Sequence, residues 1–369
     1  MRGKKNRSRM GLAIRIELIL LLALGCVFIG REINDRWNES AWQGSGSGWT
    51  SEMQEAVEVT ADGNYIKWVE FNVTCEAMAE AYNLDVESYE EDIHLDWIEL
   101  LAYVGARTGG KFDKSSVKKI NETAKKLKSK ETTMEELTED MEYYDYYLKA
   151  YTAVLGGMVG EFSIKEDGQW KQYYGLKAFS PIAKGFDYSH YDDFGSSRSY
   201  GYSRPHLGHD MMGQIGTPII AVESGYVEAL GWNQYGGWRI GIRSFDGERY
   251  YYYAHLRQNY PYAEGLEEGS VVTAGDVIGY MGHTGYSTTE NVNNIETVHL
   301  HWGLQLIFDE SQKEGNNEIW VDCYELTKFL YRNRSEVAKI GDSREWQRTH
   351  EMTDPEVEKH CKNNTAMIQ

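Results

Sequence analysis

Residues 52–180 contain no proline, whereas all five prolines of the 369-residue chain lie at or beyond Pro181 and close to half of its 37 glycines fall within 201–303. Proline and glycine punctuate local structure, so this partition limits what each half can fold into. The first half is free to run as helices. In 115–141, Val117, Ile120, Ala124, Leu127, Met134, Leu137 and Met141 recur at three- and four-residue steps, with one longer gap around Glu131 and Thr132. LDWIELLAYVGARTGG at 95–110 and YYDYYLKAYTAVLGG at 143–157 read as helices stopped by paired glycines. Residues 52–180 are therefore expected to form a helical module whose tyrosines make a core stripe rather than a binding surface.

The second half reads differently. Short apolar runs (TPIIAV, GYVEALG, GGWRIGIRS, HLHWGLQLIF) alternate with glycine turns, and Asp246-Gly247 separates WRIGIRSF from ERYYYYAHL as a hairpin turn would. An antiparallel all-β domain is expected over 181–335. IWVDCYELTKFLYRNR at 319–334 is read as a terminal helix, and 336–369 as a polar, loosely ordered tail. The fold class is α+β.

Charge is as uneven as glycine. Residues 1–30 sum to +5, which leaves −24 for the rest of a chain whose formal net charge is −19. An acidic body excludes a general nucleic-acid binder. Four cysteines in 369 residues exclude a disulfide scaffold, and their lack of CxxC pairing argues against a zinc knuckle. Residues 18–29, LILLLALGCVFI, follow five basic residues before position 10. A retained signal-anchor over 1–30, with a cytoplasmic N-terminus and the body outside the cytoplasmic membrane, is the favoured reading. A cleaved signal peptide and a lipobox at Ala23–Cys26 compete with it. Residues 31–51 then form a linker rich in glycine and serine toward its end.

The histidines gather in the β half. His206-Leu-Gly-His-Asp210 places an imidazole and a carboxylate four residues apart. His299-Leu-His301 lies in a strand-like run, so both rings share a face. By the same alternation Arg249, Tyr251, Tyr253 and His255 share one face. Two histidines and a carboxylate are a usual ligand set for catalytic zinc, with a fourth position left to water, and neighbouring histidines can serve as acid or base.

Five motifs stand in a fixed order: HLGHD at 206–210, GTPIIAVESGYV at 216–227, YAHL at 253–256, GSVVTAGDVIGYMGHTG at 269–285 and HLH at 299–301. In this order they resemble the lysostaphin/LytM-type zinc metallo-endopeptidases, which cut peptide cross-links of bacterial peptidoglycan, over roughly residues 200–310. The resemblance implies a LytM-type β domain with His206, Asp210 and His301 as zinc ligands. It also implies His299 as the general base that activates the attacking water, and His255 as the group that polarises the substrate or stabilises the oxyanion.

The chain departs from the family pattern at Val298, where proline is usual, and in the longer polar loop YSTTENVNNIETV at 286–298. His209 is expected to point away from the metal and His283 to be an exposed rim residue. Trp232, Tyr235, Trp238 and Trp302 are candidates for a substrate groove or for the core. The expected partners are peptidoglycan, the cytoplasmic membrane through the N-terminal helix, and a protein at the helical module. A catalytically silent relative that activates another hydrolase, and a glycan-binding module, are the competing functions.

Overall fold

The computed structural model describes residue 66 and residues 69–200, 202–313 and 317–367. The described residues all belong to one unit of the chain, Tyr65–Gln369, the second of two. The proposed anchor and the linker lie outside the described residues. Among the described residues no helix is long and apolar enough to cross a membrane.

Five helices open the second unit: α1 (Cys75–Ser88), α2 (Trp97–Thr108), α3 (Lys114–Lys128), α4 (Met134–Thr138) and α5 (Tyr144–Leu155). Their ends are fixed by local chemistry. Asp96 accepts from the amides of Ile98 and Glu99, and Gly109 ends α2 with φ 63°. Asp113 and Ser116 form a reciprocal cap on α3. Tyr144, Tyr146, Tyr147 and Tyr151 are all buried, so the tyrosine stripe of α5 is core. Burial pushes the Tyr151 phenol well above its ordinary value.

The helical expectation for 52–180 fails at its end. Residues 159–176 form a hairpin of β1 (Val159–Glu166) and β2 (Gln169–Leu176). Asp167 and Gly168 turn it, with φ 50° and 79°. That pair of positive angles suits the right-handed twist of two strands joined by two residues.

The main sheet is antiparallel and eight-stranded. Its strands are β3 (Ser189–His190), β4 (His209–Met212), β5 (Gly225–Asn233), β6 (Gly237–Ser244), β7 (Arg249–Ala254), β8 (Val271–Val272), β9 (His299–Leu306) and β10 (Ile319–Val321). The order is β8-β5-β6-β7-β9-β4-β3, and β10 pairs with the far end of β9. Asp246-Gly247 does turn β6 into β7: the Asp246 carboxylate accepts from Ser244 and from the Glu248 amide, and Gly247 has φ 81°.

Two further expectations are corrected. Residues 319–334 hold β10 and a shorter helix, α6 (Tyr324–Leu330). The tail is ordered among its described residues, with strands at Trp346–Arg348 and Met352–Thr353 and a helix at Pro355–Met367. Asp354 explains the order. It is buried, accepts from Lys177 Nζ at 3.0 Å and Ser224 Oγ at 2.8 Å, and caps the last helix through the Glu356 amide. Polar composition suggested a solvated tail, but the Asp354 carboxylate is spent on buried partners.

Helices and sheet share one interior. Trp97 and Phe329 stack, and Glu325 accepts from the Cys75 amide. Arg249, 1% exposed, is the polar centre of the junction. Its guanidinium grips Glu223 at 2.8 and 3.2 Å and also meets Asp246. It donates to Ala153 O at 3.0 Å, a carbonyl at the end of α5. Removing one partner strands a buried charge, so Arg249→Met is expected to cost about 3–5 kcal/mol in denaturant unfolding. Pairing it with Glu223→Gln should recover part of the loss. A cost below about 1 kcal/mol for the single variant would show that the pair does not hold the junction.

Candidate active site

The register of the sheet brings the site together. Asp210 on β4 lies directly opposite His301 on β9. His206 follows a small hairpin, Ser197–Tyr200 with Tyr202–Pro205, and enters β4 through Gly208. A Cβ on Gly208 would lie 2.5 Å from the His301 ring, so only glycine lets the HLGHD segment pass this close.

Three side-chain atoms converge. His206 Nε2 lies 3.0 Å from Asp210 Oδ1 and 2.9 Å from His301 Nδ1, and His301 Nδ1 lies 3.1 Å from Asp210 Oδ1. A tetrahedral zinc with bonds of about 2.0–2.1 Å would separate its ligand atoms by about 3.3 Å, so the trio needs only a few tenths of an ångström to fit. Among the described residues this is the one group of three or more His, Cys, Asp or Glu placed to hold a metal. The chemistry of the set agrees. His206 Nδ1 faces the Asp193 carbonyl and carboxylate at 3.2 Å, both acceptors, which places its proton there and turns the Nε2 lone pair toward the other two atoms.

His255 and His299 stand beside this trio. Their ring centroids are 4.7 Å apart, and His299 Nε2 is 3.7 Å from Asp210 Oδ1. Each directs Nδ1 at a backbone carbonyl: His255 at Thr284 O, 2.9 Å, and His299 at Thr297 O, 2.8 Å. A carbonyl only accepts, so in the neutral rings Nε2 is the free acceptor. The placement of His255 differs from the alternation expected. Tyr251 and Tyr253 are buried, with hydroxyls donating to Glu223 and accepting from the Val222 amide, whereas His255 lines the cleft with Tyr252 and Ala254. The reason is its backbone: φ is 62°, so the strand ends at Ala254 and the side chain swings to the other face.

Burial pushes His255 well below the ordinary imidazole range, with the neighbouring His299 and His301 adding to it. Burial also lowers His301, against the opposing pull of Asp210. For Asp210, burial works upward, but the close contacts with the His206 and His301 rings and the nearby His301 and His299 outweigh it, and the carboxyl is held well below its usual range.

Sequence reasoning missed two groups behind the trio. Arg198 Nη2 lies 3.2 Å from Asp210 Oδ2 and 2.5 Å from Asp193 Oδ2. Asp193 in turn faces His206. Neither stands at a motif position; only the fold brings them in. Carboxylates that hold a ligating imidazole are worth 10–100-fold in metal affinity, so Asp193→Ala is expected to weaken metal binding by about that factor in a competitive chelator titration. An unchanged affinity would exclude this role.

The remaining candidates separate cleanly. His209 does point away from the trio: its Nε2 meets His190 Nδ1 at 2.7 Å, and burial lowers it to about 3. His283 is half-buried with Nδ1 at Ile295 O, not an exposed rim residue. Trp302 is fully buried core. Trp232 and Trp238 pack edge to face and brace the polar loop through Ser287 O and Asn291 Oδ1. Tyr235 lines the cleft, joined by Arg204 and Tyr286.

Residues 204–315 match the profile of peptidase family M23. The chain carries an M23 peptidase domain. It is 35% identical over 161 residues to an L-Ala–D-Glu endopeptidase of Bacillus subtilis (strain 168), which covers 44% of this chain and 47% of that protein. It is 38% identical over 89 residues to lysostaphin of Staphylococcus staphylolyticus, covering 24% of this chain and 18% of that protein. The chain thus spans less than half the length of these curated relatives. A solved LytM structure from Ruminococcus gnavus ATCC 29149 superposes with TM-score 0.46 at 26% identity, over 72% of this chain and 90% of that one. The M23 domain contains all five histidine and aspartate positions named from the motifs.

Proposed function

We propose that this M23 domain is a zinc-dependent endopeptidase that hydrolyses peptide bonds of bacterial peptidoglycan, in cross-links or stem peptides. The observation that carries this reading is the convergence of His206 Nε2, Asp210 Oδ1 and His301 Nδ1 to 2.9–3.1 Å, with two Nε2 acceptors alongside. The three would hold the metal. Zinc, when bound, supplies Lewis acidity and makes water a nucleophile near neutral pH.

The protein's own groups do the proton work. His299, oriented by Thr297 O, accepts the proton of the attacking water at Nε2. His255, neutral and oriented by Thr284 O, is likewise an acceptor at first. It can stabilise an oxyanion or hand a proton to the departing amine only after it has itself received one. The two adjacent rings thus form a place where one proton is taken up and later returned. The intact five-residue set argues against a silent domain. The test is hydrolysis of purified cross-linked muropeptides by the zinc-loaded chain; no cleavage at full zinc content would leave the silent partner-binding reading instead.

The basic head and apolar run support a retained anchor, with residues 31–369 outside the cytoplasmic membrane, where this substrate lies. Protease added to intact protoplasts is then expected to digest the body and leave a short membrane-bound stub. Full protection of the body would overturn this topology, and release of intact body into the medium would indicate a cleaved signal.

A further inference from the structure

We propose that Arg204 is a carboxylate receptor in the wall of the cleft, so that this domain selects peptide substrates carrying a free carboxylate next to the bond it cuts. This rests on the endopeptidase reading. Arg204 lies two residues before His206 on an extended segment, so both side chains face the cleft. The cleft has two arginines, and their surroundings differ. Arg198 is neutralised by Asp193 and Asp210. Arg204 has no carboxylate partner among the described residues. Its Nε is buried without a hydrogen-bond partner, and Nη2 reaches only the Tyr286 hydroxyl at 3.4 Å.

The guanidinium is also held in place. It lies 5.3 Å from the Tyr235 ring centroid and 5.9 Å from that of Tyr286. The two tyrosines are tied to each other through the Tyr286 amide and Tyr235 O. Tyr286 has φ 47°, a costly conformation fixed further by Asn294 on its carbonyl. A preorganised guanidinium with unspent donors in a narrow cleft matches the two oxygens of a carboxylate. Among peptidoglycan peptides, the D-glutamyl residue of the stem presents such a group.

The test uses the zinc-loaded chain and two tripeptides, L-alanyl-γ-D-glutamyl-L-lysine with the glutamyl α-carboxylate free or amidated. Both hydrolysis and equilibrium binding are measured. The wild type is expected to favour the free acid by roughly 10- to 100-fold, the worth of a charge-assisted pair. In Arg204→Met the ratio should collapse to about one at unchanged zinc content, and Arg204→Lys should keep part of it. A preference that survives Arg204→Met, or an equal loss on both peptides, overturns the receptor and leaves Arg204 as a brace for the loop. If neither tripeptide is hydrolysed while cross-linked muropeptides are, the endopeptidase reading stands and the preference for a carboxylate next to the cut bond is overturned. If neither tripeptide nor muropeptide is hydrolysed, the endopeptidase reading fails, while the binding ratio still decides the receptor.

Discussion

Alanine at His206, Asp210 or His301 is expected to reduce zinc from one per chain to near none and to abolish peptide hydrolysis. In the proposed zinc site each would supply one of three protein donors, and among the described residues no other group of three or more His, Cys, Asp or Glu converges in this way. Two donors on a rigid sheet do not hold the metal that three hold, because the third cannot be recruited by a small shift. Acid should act in the same direction, since protons compete with the metal for imidazole nitrogen. The sign follows from burial. His301 lies below its ordinary value, so it stays neutral at pH values where a free imidazole, with a pKa of about 6.5, is half protonated. Zinc retention should therefore extend below pH ~6.5 before it fails. Elemental analysis of each purified variant checks the assignment, and His301→Ala with full zinc would refute it.

Residues whose chemistry demands a type at a spacing were legible in the sequence. The H-x-x-x-D and H-x-H spacings survive because a strand pairing, Asp210 opposite His301, converts them directly into proximity. Elements with strong local signals were legible for the same reason: the two glycines after Thr108 end α2, and Asp246-Gly247 turns β6 into β7. Asp167-Gly168 carried an equal signal and went unread inside a proline-free stretch. What stayed hidden depends on backbone angles or on distance along the chain. Alternation put His255 on the wrong face because nothing in YAHL announces a positive φ. Arg198, Asp193 and Arg204 belong to no spacing at all. Their roles arise when the 197–205 hairpin folds against the cleft. The tail misled because composition cannot tell a solvated aspartate from Asp354, whose carboxylate is buried and doubly satisfied.

The second large effect separates base from ligand. His299 and His301 are two residues apart on one face of β9, yet their nitrogens have different company. His301 Nδ1 is within 3.1 Å of both other donors, while His299 Nε2 stays 3.7 Å from Asp210 and its Nδ1 is spent on Thr297 O. His299→Ala is therefore expected to keep zinc and lose about 10²–10⁴-fold in turnover, the usual worth of a general base. His255→Ala should keep zinc as well, since its Nδ1 is committed to Thr284 O and it lies outside the trio. The double variant should lose little more than the worse single one if the two rings pass the same proton, because groups acting as a unit are far from additive. Zinc content beside turnover decides each point. An emptied site in His299→Ala with a filled one in His301→Ala would reverse the two roles, and fully additive losses would mean that the rings handle separate protons.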